Sequence, residues 1–219
     1  MLKNFIFDMD GTLVDSKYDI RRYLLDGFRQ NGVHIDDSTF IQIGPPLERI
    51  IRNTAPHISD ELADKVLISY RRLYINGDLS KTIPFDGIID ALKYIKSQNL
   101  NAFIATFKPF TSAQQILNNH FIGLYKDIIT PTEIKNFNFR AKISKADMLN
   151  FFIDKWRIKP QESAMIGDAK SDIDGAKEAG MTAIAALYGY GQPDEFDNAD
   201  FKVKTARDLF EIIKKMSKE

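Results

Sequence analysis

The sequence predicts an α/β protein: a doubly wound parallel sheet interrupted near its start by a small all-α unit. Three observations carry this. From Pro84 to the C-terminus, short apolar runs alternate with helical patterns, the rhythm of βαβ units whose parallel strands are covered on both faces. Between Ser16 and Thr82 the pattern is helical throughout. The chain opens on Phe5-Ile6-Phe7, an apolar run that belongs with the later strands rather than with the helices that follow it. Residues 1–15 and 83–219 are therefore expected to form the core, and residues 16–82 the inserted unit.

Each element follows from local pattern. After Asp15-Ser16, an apolar stripe of Tyr18, Leu24, Leu25 and Phe28 predicts a helix that Asn31-Gly32 stops. A short segment from Asp37 to Ile43 ends at Gly44-Pro45-Pro46, and Leu47 to Asn53 reads as a second helix. Ser59 caps a longer one, with Leu62, Val66, Tyr70 and Tyr74 on one face and Gly77 at its end. Beyond Pro84, Asp86 is expected to cap a helix through Ile89, Leu92 and Ile95. Asn101 to Thr106 is a nearly continuous apolar run, as a buried parallel strand requires. A helix from Phe110 to Asn119, a strand from Tyr125 to Thr130 and a helix from Ser144 to Lys155 come next. Ser163 to Gly167 and Thr182 to Leu187 read as strands flanking a helix from Ile173 to Ala179, with Gly180 just past its end. Phe201-Lys202-Val203 predicts a short edge strand, and Thr205 with Asp208 a capping box for the last helix.

Composition removes several classes of function. The 219 residues carry 30 basic and 30 acidic side chains, a formal net charge of zero, whereas nucleic-acid binders show a basic excess. A local basic run from Lys135 to Lys159 reads as a solvated helix face. With no cysteine, disulfide frameworks and thiolate metal sites are excluded. The three histidines, His34, His57 and His120, are scattered and carry no local metal-binding spacing. The opening apolar run is short and ends in charge, unlike a signal peptide, and no apolar stretch approaches the ~18 residues of a membrane span. The expectation is a soluble, cytoplasmic protein, monomeric or homodimeric, with no membrane or nucleic-acid partner.

The chemistry gathers where strands end. Phe5-Ile6-Phe7 stops abruptly at Asp8-Met9-Asp10-Gly11-Thr12, and side chains two apart on an extended chain share a face. Two carboxylates just past a buried strand are costly unless they hold a cation or exchange protons. Asp-Gly is equally a hairpin signal, with Thr12-Leu13-Val14 as the returning strand. A calcium loop is excluded, because it needs its glycine at the sixth position and here the glycine comes fourth. On this stretch alone, turn and chemical site both stand. The strand near residue 104 ends at Thr106, and the strand near residue 165 at Gly167-Asp168, with Asp172 one helical turn further on. Singly, Thr106 is an ordinary β-former and Asp168 a helix cap. In an open α/β sheet, however, ligands bind beyond the carboxyl ends of the strands, so these polar ends converge on one crevice. The inserted helices, directly after a carboxylate-bearing strand end, are placed to serve as a lid.

Together these residues resemble the four motifs of the haloacid dehalogenase (HAD) superfamily: Asp8-Met9-Asp10-Gly11-Thr12, Thr106, a lysine before a helix, and Gly167-Asp168-x-x-x-Asp172. The helical insertion is similar to the cap of that superfamily. Ile43-Gly44-Pro45-Pro46-Leu47, Thr106-Phe107-Lys108-Pro109, Asp174-Gly175-Ala176 and Gly189-Tyr190-Gly191 resemble its phosphoglycolate-phosphatase-like branch. The third-motif lysine has two candidates, Lys142 and Lys145, and Ser144-Lys145-Ala146-Asp147 favours Lys145. Phe107 departs from the branch, which often has asparagine beside the second-motif threonine.

The resemblance implies a Rossmann-like core with a helical cap and a magnesium-dependent phosphatase acting on a small phosphorylated metabolite, with phosphoglycolate the default substrate. It implies that Asp8 is the nucleophile and Asp10 the acid–base. Mg2+ would be held by the Asp8 carboxylate, the Asp10 backbone carbonyl and the Asp168 carboxylate, with Asp172 behind them orienting waters or Lys145. Thr106 and Lys145 would bind the transferring phosphate. Gly11 would allow the tight turn, and Thr12 would position Asp10. A dehalogenase needs no second aspartate, so Asp10 argues against one. A phosphonate hydrolase needs a cap lysine, and Lys17, Lys65 and Lys81 have no diagnostic context. A phosphomutase or pyrophosphatase shares the framework, and a non-catalytic binding protein on this fold would normally have lost a motif aspartate.

Overall fold

The structure, a computed structural model, describes residues 1–135 and 143–218. Two compact units emerge: Met1–Asp15 with Pro84–Glu219, and Ser16–Ile83. In the first, six parallel strands form one sheet in the order β5-β4-β1-β6-β7-β8. They are β1 (Asn4–Phe7), β4 (Asn101–Ala105), β5 (Asp127–Ile129), β6 (Ser163–Gly167), β7 (Thr182–Ala186) and β8 (Phe201–Val203). Two-residue extended pieces, β2 (Val14–Asp15) and β3 (Ile83–Pro84), stand where the chain leaves and rejoins this unit. The helices of the unit are α4 (Ile88–Ser97), α5 (Phe110–His120), α6 (Pro131–Lys135), α7 (Lys145–Trp156), α8 (Lys170–Glu178) and α9 (Ala206–Met216).

The sheet is doubly wound because its strands are apolar on both faces. Ile6, Phe103, Ala105, Met165, Ala183 and Ala185 pack into one cluster with Met148, Leu149 and Phe152 of α7 and Ile173 and Ala176 of α8. The intervening residues, Phe5, Phe7, Ile104 and Ile166, point the opposite way by the alternation of a strand and are equally buried. The buried residues of α4 and α9 lie outside the first cluster and cover this second face. Each fully buried large apolar side chain contributes about 1.5–3 kcal/mol relative to exposure, so the central strands are the stable part of the unit. That rigidity positions the strand ends.

The second unit holds α1 (Lys17–Gln30), α2 (Leu47–Thr54) and α3 (Asp60–Asn76). Gly27 in mid-α1 lets that helix approach α3 closely: a Cβ there would lie 3.2 Å from Tyr70 N and 3.3 Å from Val66 O. Tyr23 and Tyr74 meet edge to face at 5.8 Å beside this contact. Ser59 caps α3, its hydroxyl accepting from Leu62 N–H at 3.2 Å. Among the described residues, no helix is long and apolar enough to cross a membrane.

Three sequence expectations are corrected. Tyr18, in the first turn of α1, is 60% exposed and not part of its buried apolar stripe, which begins a turn later and runs through Tyr23, Leu24, Leu25 and Phe28. Asp86 does not cap α4, whose N-cap is Gly87 at φ +100°. Its carboxylate instead takes a two-point bond from Arg207 at 2.7 and 3.0 Å, geometry that a guanidinium favours over a single N–H. The strand expected from Tyr125 to Thr130 is confined to Asp127–Ile129. Lys142 and most of the basic run's first third lie outside the described residues.

Candidate active site

Register brings the site together. β1 lies between β4 and β6, with Phe7 opposite Ile104 on one side and Ile166 on the other. Asp8 therefore follows at the level of Ala105 and Gly167, its N–H donating to Ile166 O at 2.9 Å. Thr106 and Asp168 each come one residue later on the flanking strands. Three neighbouring strand ends thus place Asp8, Thr106 and Asp168 along one edge of the sheet.

Behind Asp8 stands Lys145, the first residue of α7, which is held in place by a capping box between Ser144 and Asp147. Its Nζ donates to Asp8 Oδ1 and to the Ala105 carbonyl, both at 2.8 Å. The same ammonium lies 2.8 Å from Asp172 Oδ1, a second buried ion pair. Burial works against the charge of Lys145, but Asp172 and Asp8 outweigh it and hold its pKa above the ordinary value. Burial pushes the Asp8 carboxyl up to about 7; Lys145 opposes this, while Asp172 and Asp10 add to it.

Asp168 is clamped from two sides. Thr12 Oγ1 donates to its Oδ1 at 3.0 Å, and the Tyr190 N–H donates to its Oδ2 at 2.7 Å. Both donors arrive on glycine loops that leave room for the carboxylate. Gly11 has φ +83°, and a Cβ there would lie 2.0 Å from Asp168 Oδ2; one on Gly189 would lie 2.2 Å from Asp168 Cβ. Burial, then the charges of Asp8 and Asp172, raise the Asp168 pKa well above that of an ordinary aspartate. The expectation that Thr12 positions Asp10 is therefore corrected: its hydroxyl serves Asp168, because the turn closed by Gly11 N–H to Val14 O (2.9 Å) directs Thr12 toward β6.

Asp8, Asp168 and Asp172 each offer one carboxylate oxygen, all within 4.8 Å of one another. Like charges this close in a buried place destabilise each other's ionised form, a cost that a cation among them removes. With Asp10 included, four carboxylates face two ammonium groups, Lys108 and Lys145. That leaves a formal excess of two negative charges. An all-oxygen donor set with that excess fits a hard divalent cation. The Asp10 side chain stands outside this cluster and faces Lys108, whose Nζ lies 2.7 and 2.9 Å from its two oxygens. Thr106 Oγ1, buried at the end of β4, accepts from the Lys108 N–H at 3.1 Å. The Phe107 ring between them is 48% exposed, its centroid 5.0 Å from Lys145 Nζ.

Sequence reading named Asp8, Asp10, Thr106, Lys145, Asp168 and Asp172, and the structure brings all of them to this edge. It missed the Tyr190 N–H, which leaves no mark on side-chain identity, although the glycines on either side of Tyr190 were a signal of close approach. It also gave no role to Lys108, whose position two residues past a polar strand end was the available hint.

A parallel core carrying acidic strand ends defines a class that comparison makes specific. The fold matches a solved haloacid dehalogenase-like family hydrolase, SP0104 from Streptococcus pneumoniae, with TM-score 0.81 and 26% identity, covering 96% of this chain and 98% of that one. Residues 5–186 match the haloacid dehalogenase-like hydrolase family, and the chain belongs to that family. Among curated proteins it is 29% identical over 207 residues to the tyrosine-protein kinase PtkA of Mycobacterium tuberculosis, covering 91% of this chain and 67% of that protein. It is 25% identical over 224 residues to a phosphoglycolate phosphatase of Vibrio vulnificus, covering 97% and 96%.

Proposed function

We propose that this protein is a magnesium-dependent phosphatase that hydrolyses a small phosphate monoester through an aspartyl-phosphate on Asp8, phosphoglycolate being the default substrate. The observation that carries the reading is the cluster of Asp8, Asp168 and Asp172 oxygens within 4.8 Å, set against Lys145. The similarity to a phosphoglycolate phosphatase over nearly the whole length of both chains supports the substrate class.

A phosphate monoester carries about −1.5 to −2 charges near neutral pH, so a carboxylate cannot approach it unaided. The Asp8 and Asp168 carboxylates and the Asp10 backbone carbonyl would hold Mg2+, with Asp172 behind them in the same cluster; when bound, the ion supplies the positive charge that offsets this repulsion. Thr106 and the N–H groups of its loop orient the phosphoryl oxygens, and Lys145 fixes the Asp8 carboxylate while adding a second positive charge. Asp8 attacks phosphorus in line; the bond to the leaving oxygen breaks, and Asp10 gives that oxygen its proton. Asp10 then takes a proton from water as the water oxygen bonds to phosphorus and the Asp8–phosphorus bond breaks. The proton gained in this half of the cycle is the one given in the next, so no other acid is consumed. In this reading the partner is a phosphorylated metabolite rather than nucleic acid or membrane, and the enzyme acts in the cytoplasm as a monomer or homodimer.

Phosphate release from p-nitrophenyl phosphate and from phosphoglycolate, with and without Mg2+, tests the proposal. Turnover that vanishes on chelation and returns with Mg2+ supports it. No release from a panel of phosphomonoesters with Mg2+ present overturns it.

A further inference from the structure

Lys108 is 5% exposed, although lysine is almost never buried unless paired. Its side chain is 2% exposed while that of Asp10, its partner, is 26% exposed. The ammonium is therefore the buried member of the pair, and the carboxylate is the one that solvent reaches. Nζ spans both oxygens of Asp10, at 2.7 Å from Oδ1 and 2.9 Å from Oδ2. The Lys108 backbone is itself tied to the end of β4 through Thr106 Oγ1. A two-point contact of this kind fixes both the direction of the carboxyl group and its rotation. Asp8 has a lysine of its own in Lys145, so each of the two aspartates is held by a separate buried cation.

From this geometry we infer that Lys108 is a positioning residue for Asp10 and acts on the reaction through it, an inference that rests on the phosphatase reading above. When Asp10 carries a proton on one oxygen, the ammonium keeps hold of the other. The protonated oxygen is thereby the one turned toward the leaving group, and later the free oxygen is turned toward the attacking water. Lys108 itself neither gains nor loses a proton in either step.

The test separates positioning of the acid–base from substrate binding. p-Nitrophenolate leaves without a proton, whereas the alkoxide of phosphoglycolate needs one. Hydrolysis of the aspartyl-phosphate needs Asp10 as base in both cases. Lys108→Met is expected to lower kcat for phosphoglycolate about 10²-fold, the scale of general acid–base assistance, with KM little changed. On p-nitrophenyl phosphate the same variant is expected to release one equivalent of p-nitrophenol per enzyme in a burst close to the wild-type rate, then turn over slowly as aspartyl-phosphate accumulates. The double variant Lys108→Met/Asp10→Asn leaves neither charge unpaired, which guards against misfolding, and it is expected to be no slower than Asp10→Asn alone. Equal loss of burst and steady rates, a raised KM at unchanged kcat, or additive losses in the double variant would each overturn the role. A wild-type enzyme inactive on both esters removes the phosphatase reading and this role with it.

Discussion

Lys145 places its Nζ 2.8 Å from Asp172 Oδ1, and both side chains are 1% exposed. The same ammonium holds the partly buried Asp8, so one cation serves two carboxylates. Breaking a buried pair by removing one partner typically costs about 3–5 kcal/mol, because the remaining charge has no water to return to. Lys145→Met should therefore lower the stability of the metal-free protein by about that amount, read as a shift of the urea midpoint, and should abolish turnover. A variant within 0.5 kcal/mol of wild type would show that the carboxylates do not depend on this lysine.

Asp8 is the residue on which the proposed chemistry turns. Asp8→Asn keeps the shape and removes the nucleophile, so turnover should drop below a few per cent of wild type. Wild-type enzyme quenched in acid during turnover of a 32P-labelled monoester should retain label on protein, and Asp8→Asn should retain none. Label persisting in the variant would move the nucleophile elsewhere.

Gly11 tests the packing of the metal cluster. Its φ of +83° is a conformation in which a side chain is strained, and a Cβ would lie 2.0 Å from Asp168 Oδ2. The strain alone is worth about 1–2 kcal/mol, and the displaced carboxylate adds to it. Gly11→Ala should lower thermal stability and weaken Mg2+ binding measured directly by calorimetry. Loss of stability with unchanged Mg2+ affinity would separate the turn from the cation site.

The sheet was legible because buried parallel strands write themselves as continuous apolar runs, and Phe5-Ile6-Phe7, Asn101 to Ala105 and Ser163 to Gly167 do so. The carboxylates at their ends were legible for the opposite reason: charge immediately after such a run is out of place. What sequence withheld was direction. Thr12 lies two residues from Asp10, yet its hydroxyl reaches across to Asp168 at 3.0 Å, because the turn at Gly11 rotates it away. Asp86 looked like a cap by its neighbours, and a partner 121 residues away, Arg207, took it instead. Lys108 was hidden by its type, since a lysine in a polar loop is ordinarily solvated.

Phe107 bears on which ester the site accepts. Phe107 is 48% exposed, beside Thr106, with its ring centroid 5.0 Å from Lys145 Nζ. An exposed ring beside the phosphate-binding threonine gives a leaving group with a flat or apolar portion a surface to pack on, which a two-carbon carboxylate does not need. Apolar contact of this size discriminates by about 1–3 kcal/mol. Phe107→Asn should therefore lower kcat/KM for a nucleoside monophosphate by about 10-fold or more while leaving phosphoglycolate unchanged or improved. Measuring both substrates in wild type and variant gives the ratio directly. A parallel change on the two esters would mean that Phe107 acts through Lys145, by the cation–π contact it makes there, and not through the substrate.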